Sequence, residues 1–286
     1  MVSESDHDGR VPVVPRVLPR RTGPVRAEVI SIGRDLLGGR TGDRNGRFLA
    51  DQIRQRGGEI GRITVVGDLE TAIAAAVREA LERNPHLLIT SGGLGPAPDD
   101  CAKAAVAAVL SLPVTLHTGA RTLVEKAYRK LADARILPSG GINAERERLC
   151  KLPVGSEAVA NDLGVAPGFI CRMASGAAIL CLPGRPEEMR AAFQAAVPLL
   201  KDVLPRDKLA QCEIESPTAD ETSLRGTLQK LADEFPTVWV SSRPSGSRKG
   251  AKIVITFEAT GPTREEADGV LQAVQRRLRA LVAGAD

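Results

Sequence analysis

Leu88-Ile-Thr-Ser-Gly-Gly-Leu-Gly-Pro-Ala-Pro-Asp-Asp100 carries the strongest architectural signal in the chain. A short apolar run empties into a loop with glycines at 92, 93 and 95, and the next helical pattern opens behind two aspartates. Glycine lets a backbone turn sharply and lie close to a ligand where any Cβ would intrude. The loop follows a buried strand, and open α/β sheets place their ligands beyond the carboxyl ends of their strands. Exposed N–H groups in such a turn suit phosphate, whereas Asp99 and Asp100 repel it. A divalent cation between carboxylate and phosphate reconciles the two. Either aspartate also reads as a plain helix N-cap.

On both sides of this loop, β-branched runs alternate with helical patterns. Glu28–Ile32, Ile63–Val66 and Leu87–Thr90 read as strands, and Asn45–Arg56, Glu70–Arg83 and Asp100–Leu110 as helices. Three βα units in succession predict a parallel sheet covered on both faces. A helix over Arg121–Ala132 follows, then an irregular Pro/Gly-punctuated stretch, Leu137–Gly155. Phe169–Met173 and Ala177–Leu182 read as a hairpin, and Pro186–Leu200 as a helix. After Pro205 the pattern restarts: strand Glu213–Ser216, helix Asp220–Asp233, strands Thr237–Ser241 and Lys252–Glu258, helix Arg264–Val282. Thr218–Glu221 and Thr263–Glu266 have the spacing of capping boxes. Residues 1–26, with four prolines and five arginines and no apolar period, read as a disordered tail. The expected organisation is thus a tail over 1–26, an α/β domain over 27–205 and a small α+β domain over 206–286.

Composition narrows the function classes. Of 286 residues, 43% are apolar and only 2% aromatic, so the core must be aliphatic. Single-stranded nucleic-acid binding by stacking needs more rings than that. A net charge of +4, with 12 basic against 12 acidic residues over 206–286, provides no concentrated phosphate-backbone surface, and nucleic acid is not an expected partner. Five cysteines without a CxxC pair read as reduced, packed thiols. No apolar run of membrane-spanning length and no secretory segment is present, so a cytoplasmic protein with no membrane partner is expected.

Further loops reach the sheet edge on which the glycine loop lies. Gly33 to Asn45 follows the first strand, Val65-Val-Gly-Asp68 ends the second, and Gly184-Arg-Pro-Glu-Glu188 follows the hairpin. Asp35, Asp43, Asp68, Asp99 and Asp100 therefore all sit just after strands, more carboxylates than helix capping needs. Asp68, Asp99 and Asp100 are the candidate metal ligands, with Asp35 or Glu188 placing ligand or water. Cys101 reads as a packed thiol, because adjacent carboxylates oppose its thiolate. Lys103 reads as a solvent-facing helix lysine with the length to reach a phosphate.

The ordered motifs Gly33-x-Asp-Leu-Leu-x-Gly39 with Asp43-x-Asn45, Val-Val-Gly-Asp68, Ser-Gly-Gly-Leu-Gly-Pro with Asp-Asp100, Gly-Val-Ala-Pro-Gly-Phe169 and Leu-Pro-Gly-x-Pro-x-Glu188 resemble one family. It is the MoaB/Mog-type molybdopterin-binding domain, in the form found in the competence/damage-inducible protein A (CinA) family, and it covers Ala27 to Leu204. Residues 206–286 resemble the KH-like module that follows in that family. The chain then stops, so the family's C-terminal nicotinamide-nucleotide deamidase domain and its activity are expected to be absent. The resemblance implies a three-layer α/β/α domain with a mostly parallel sheet, plus a small α+β KH-like domain. It implies a pterin- or nucleotide-type ligand in the glycine crevice, contacted by Gly33, Asp35, Asp43, Asn45, Ser91, Gly92, Gly93, Gly95, Pro167, Gly168, Gly184 and Glu188. Asp68 and Asp100 match the family's two catalytic aspartates.

The activity so implied is divalent-metal-dependent pyrophosphatase action on ADP-ribose or a related nucleoside diphosphate compound, in a homo-oligomer. This sequence departs from the family pattern where Ser91 replaces threonine, Asp35 a glutamate and Arg185 a proline, and where Ala97 and Ala102 stand in place of threonines. Those losses keep a second reading open, a non-catalytic molybdopterin- or nucleotide-binding protein. RNA binding through Gly246-Ser-Arg-Lys-Gly250 is a weaker third, since that loop has one residue too many for a Gly-x-x-Gly clamp.

Overall fold

Alternation of side chains along three neighbouring strands builds the larger domain. The structure, a computed structural model, describes residues 25–216, 220–246 and 252–282. In chain order, β1 (Arg26–Ile32) leads through a one-turn helix α1 (Arg34–Leu37) to α2 (Arg44–Arg54), β2 (Glu59–Val66) and α3 (Glu70–Glu82). Then come β3 (Leu87–Ser91), α4 (Ala102–Val109), β4 (Val114–Leu116), α5 (Thr118–Asp133), α6 (Ala144–Leu149), β5 (Lys151–Pro153) and β6 (Glu157–Val159). The hairpin β7 (Gly168–Arg172) and β8 (Ala178–Leu182) and helix α7 (Pro186–Ala196), extended by a 3-10 turn over Val197–Leu200, complete the domain.

The central sheet runs β2-β1-β3-β8-β7-β6. β2, β1, β3 and β8 are mutually parallel, and β7 is antiparallel to both its neighbours. Successive residues point to opposite faces, and the two cores record it. Ala27 and Val29 of β1, Leu87 and Ile89 of β3, and Ala178, Leu180 and Leu182 of β8 pack under α2 and α7. Ile30, Ile32, Leu88, Ile179 and Cys181 pack on the other face under α3, α4 and α5. Strands buried on both faces read as continuous apolar runs, which is how these appear in the sequence. One charge breaks the run: Glu28 is buried, and Arg83 beyond α3 closes on it with two hydrogen bonds of 2.8 and 2.7 Å.

The smaller unit is β9 (Lys208–Glu215), α8 (Glu221–Glu234), β10 (Trp239–Ser245), β11 (Lys252–Gly261) and α9 (Arg264–Val282). Its three antiparallel strands run β10-β11-β9. Both helices cover one face, through Leu224, Leu231, Leu271, Val274 and Leu278 against Ile253, Ile255 and Phe257. Trp239, Glu258, Thr260 and Leu209 lie on the opposite face by register. The Arg54–Glu258 ion pair joins the two units, as does the Leu209 amide donating to the Gln55 carbonyl at 3.4 Å.

Two expectations change. The stretch read as irregular contains α6 and β5, and β5 pairs antiparallel with β4; strands of three residues are too short to show a period. At the last helix the Thr263 hydroxyl caps the Glu266 amide at 3.1 Å, whereas α8 is capped by Asp220, which accepts from the Thr222 amide at 3.0 Å. Thr218 of the other expected box, and residues 1–24 of the expected tail, lie outside the described residues. No helix among the described residues is long and apolar enough to cross a membrane.

Phe193 of α7 is fully buried and meets Phe48 of α2 edge-to-face, ring centroids 6.1 Å apart. Phe193→Ala is expected to destabilise the protein by about 3–5 kcal/mol, read as a lower urea midpoint.

Candidate functional site

Because β1, β3 and β8 run parallel and in step, Ser31, Ser91 and Leu182 pair at one level and their following loops leave together. Ser31 and Ser91 stand on the face whose lower rungs are apolar core, but here two hydroxyls replace the methyls and meet polar groups of α2. Ser31 Oγ donates to Asp43 Oδ2 at 2.7 Å. Asp43 Oδ1 accepts the Gly46 amide at 2.8 Å, so this aspartate is the N-cap of α2. Asn45 Nδ2 donates to Ser91 Oγ at 2.8 Å and to the Gly184 carbonyl at 2.7 Å. Ser91 Oγ donates in turn to the Pro183 carbonyl at 3.1 Å. Asp43, Asn45, Ser91 and Gly184, read separately from sequence, form one stitched crevice wall. The Asn45 Oδ1 is buried without a partner.

The glycine loop lies against that wall. Gly92 has φ +115° and Gly93 φ +69°. A Cβ on Gly92 would stand 2.3 Å from the Ile32 carbonyl oxygen, so the β3 exit passes hard against the β1 exit. Its amide donates to the Leu182 carbonyl at 3.0 Å, and a Cβ on Gly184 would meet Gly92 Cα at 3.2 Å. Among the described residues, the amides of Gly93, Leu94 and Gly95 donate to no protein acceptor. Successive unpaired donors in a glycine-rich turn are groups that an anion can satisfy.

The aspartates behave differently from expectation. Asp68 Oδ2 accepts the Arg34 amide at 2.9 Å and so caps the first turn of α1. Asp100 Oδ2 accepts the Ala97 amide at 2.8 Å, folding the loop back on itself. Asp99 is exposed in that loop, its carbonyl accepting the Cys101 amide at 3.0 Å. The Asp68 and Asp100 loops do adjoin, because the Cys101 thiol donates to the Asp68 carbonyl at 3.1 Å. No group of three or more His, Cys, Asp or Glu among the described residues stands close enough to hold a metal ion. The three carboxylates expected as metal ligands thus form no ready-made cluster, since capping turns one oxygen of Asp68 and one of Asp100 toward different backbone amides. Burial raises the Cys101 thiol above its ordinary range, and Glu70, Asp68 and Asp100 add to the effect, which leaves it a packed thiol.

Asp35 is not drawn in. Its side chain is 68% exposed on α1 and pairs with Arg40 at 3.5 Å. Gly33 stays at the crevice rim, its amide donating to the Val66 carbonyl at 2.9 Å. Pro167 and Gly168 are buried at the start of β7, where a Cβ on Gly168 would meet the Cys181 carbonyl oxygen at 2.7 Å; this glycine serves close strand packing. Glu188 lies toward the β6 side. It accepts from Asn161 Nδ2 at 2.8 Å and pairs with Arg185 at 3.4 Å. Asn161 escaped the sequence reading, although Asn161-Asp-Leu-Gly164 carries a turn signature. Lys103 is half-buried on α4, and its ammonium is engaged away from the loop. Its ammonium donates to the Arg148 carbonyl at 2.7 Å, and burial pushes its pKa down to about 8.

Residues 28–202 match the family described as "Probable molybdopterin binding domain". A protein of Aeropyrum pernix is 36% identical over 257 residues, covering 89% of this chain and 92% of its own length. Protein TK1472 of Thermococcus kodakarensis is 35% identical over 82% of this chain and 92% of its own. A crystal structure of "the protein CinA with unknown function" from Thermoplasma acidophilum superposes with a TM-score of 0.55 at 31% identity, covering 63% of this chain and 99% of that one.

Two glycines separate strain from collision. Gly155 has φ +78° and nothing within 4 Å of the place a Cβ would take, so Gly155→Ala is expected to cost roughly 1 kcal/mol of strain alone. Gly92→Ala adds the clash with Ile32 and is expected to cost several times as much, measured side by side by chemical denaturation.

Proposed function

Since the chain belongs to the molybdopterin-binding-domain family, a membership that residues 28–202 carry, we propose that its crevice binds a small phosphate-bearing pterin or nucleotide. The observation that carries this reading is the run of unpaired amides at Gly93, Leu94 and Gly95, next in the chain to the Asn45–Ser91–Gly184 hydrogen bonds. These donors suit phosphate oxygens and need no rearrangement to meet them. The buried Asn45 Oδ1 lacks a donor and is an acceptor that a ligand N–H would satisfy.

Diphosphate cleavage on ADP-ribose or a related compound is the second reading, and what favours it is the retention of Asp68 and Asp100 on adjoining loops. A divalent ion in such a reaction would arrive with the diphosphate, since no group of three or more His, Cys, Asp or Glu among the described residues stands close enough to hold one without it. The backbone amides would then bind the phosphates, while Asp100 stays tied to the Ala97 amide.

One variant separates the two readings. Asp100→Asn keeps an oxygen for the Ala97 amide but removes a negative charge beside the anion site. Calorimetric titration with ADP-ribose is expected to give saturable binding that is unchanged or a few-fold tighter in the variant. Product analysis with and without divalent ions settles cleavage: a loss of turnover of about 100-fold or more with binding intact supports it. No product from either protein leaves binding as the function, and no binding of any phosphate-bearing pterin or nucleotide overturns the proposal.

A further inference from the structure

Beyond α2, on the side away from the crevice, the two structural units enclose a cleft of about 2010 Å³. That exceeds the roughly 300–1,000 Å³ of ordinary small-molecule pockets, so it is a groove with room for a long ligand. Its walls are the outer stripe of α2, the edge strand β2 and the helix-free face of the small sheet.

The charges in this cleft are sorted. Residues 44, 47, 51 and 54 recur at three- and four-residue spacing and so share one stripe of α2. Arg54 is neutralised by Asp51 and Glu258. Both carboxylate oxygens of Asp43 are taken, by the Ser31 hydroxyl and the Gly46 amide. Arg44 and Arg47 have no carboxylate partner among the described residues, and neither does Arg190, whose guanidinium is held 5.1 Å above the Phe48 ring. The remaining acids, Glu59 and Asp207, lie at the opposite end beside Gly57 and Gly58. One end of the groove is therefore a cluster of unpaired guanidiniums, the groups best suited to phosphate.

The other feature is a ring. Trp239 is the chain's one tryptophan, it lines this cleft, and it is 55% exposed. It stands opposite Glu258 in the sheet register, which places it near the Arg54 end of α2. From residue 54 to residue 44 the helix rises about 15 Å, less the reach of an arginine side chain. That separation fits a base and its phosphate tail. Phe48 is already covered by Arg190, so Trp239 is the ring left open, too few for a stacking platform along a single strand.

We propose that this cleft is a second ligand site, for a nucleotide carrying two or more phosphates, with the base on Trp239 and the phosphates on Arg44, Arg47 and Arg190. This inference does not rest on the crevice reading. The lone tryptophan supplies the readout, since its emission reports on this cleft and nowhere else. Titrating the full chain with AMP, ADP and ATP is expected to quench it saturably, with affinity rising a few-fold for each added phosphate. Arg47→Glu on α2 and Arg190→Glu on α7, both at exposed positions, are each expected to weaken ATP binding tenfold or more. Arg276→Glu, an equal charge reversal at an exposed position of α9 outside the cleft, is expected to leave it unchanged. Absence of quenching up to millimolar ATP, or quenching indifferent to both arginine variants, overturns the proposal. Quenching by oligouridylate but not by ATP also overturns it, in favour of single-stranded nucleic acid.

Discussion

The in-step parallel pairing of β1, β3 and β8 is the constraint from which the rest follows. It brings Ser31, Ser91 and Leu182 to one level, so the loops after them must share the same narrow space. Sharing it requires backbone-to-backbone approach, which accounts for Gly92 against the Ile32 carbonyl and Gly184 against Gly92. The same alternation that fills both cores with Val, Ile and Leu delivers hydroxyls to the top rung on the α2 face. A shift of one residue in β3 would send Ser91 to the α4 face together with the strand's α2-facing core side chains, and the Asn45–Ser91 contact would be lost. The crevice is thus a consequence of register before it is a consequence of any single side chain.

Carboxylates near this edge do mainly structural work. Asp43 caps α2, Asp68 caps α1 and Asp100 ties its own loop, each meeting backbone N–H groups that the chain leaves unpaired where strands give way to helices. A carboxylate so engaged is oriented by its amide, and three carboxylates oriented by three different amides need not converge. The amides of Gly93, Leu94 and Gly95 are the donors left over from this sorting.

Much of this was legible in the sequence because it is periodic or punctuated. Continuous apolar runs marked the parallel strands, and the helix Arg264–Val282 coincides at both ends with its predicted bounds, since its stripe and its Thr263 cap are local signals. Glycines at 92, 93 and 95 announced the loop. What stayed hidden depends on partners distant in the chain. β4 and β5 are three residues each and exist only through pairing with each other. Asn161 gains its role from Glu188, 27 positions on. The clustering of aspartates after strands was visible, but the direction of each carboxylate was not, because the amide it serves is fixed by tertiary packing.

Helix α2 ties these levels together, and its opening turn explains how one element serves two surfaces. Consecutive helical residues are about 100° apart around the axis, so Asn45 faces the crevice while Arg44, Arg47 and Phe48 line the cleft. Asp43 belongs to both, capping the helix with one oxygen and holding the Ser31 hydroxyl with the other. At the far end Arg54 reaches across to Glu258 of the small sheet. A rigid rotation of α2 would therefore move the crevice wall, the arginine stripe and the bridge between the two units at once. Packing of Leu49 and Ile53 against the sheet, with Phe193 of α7 beside them, resists that rotation.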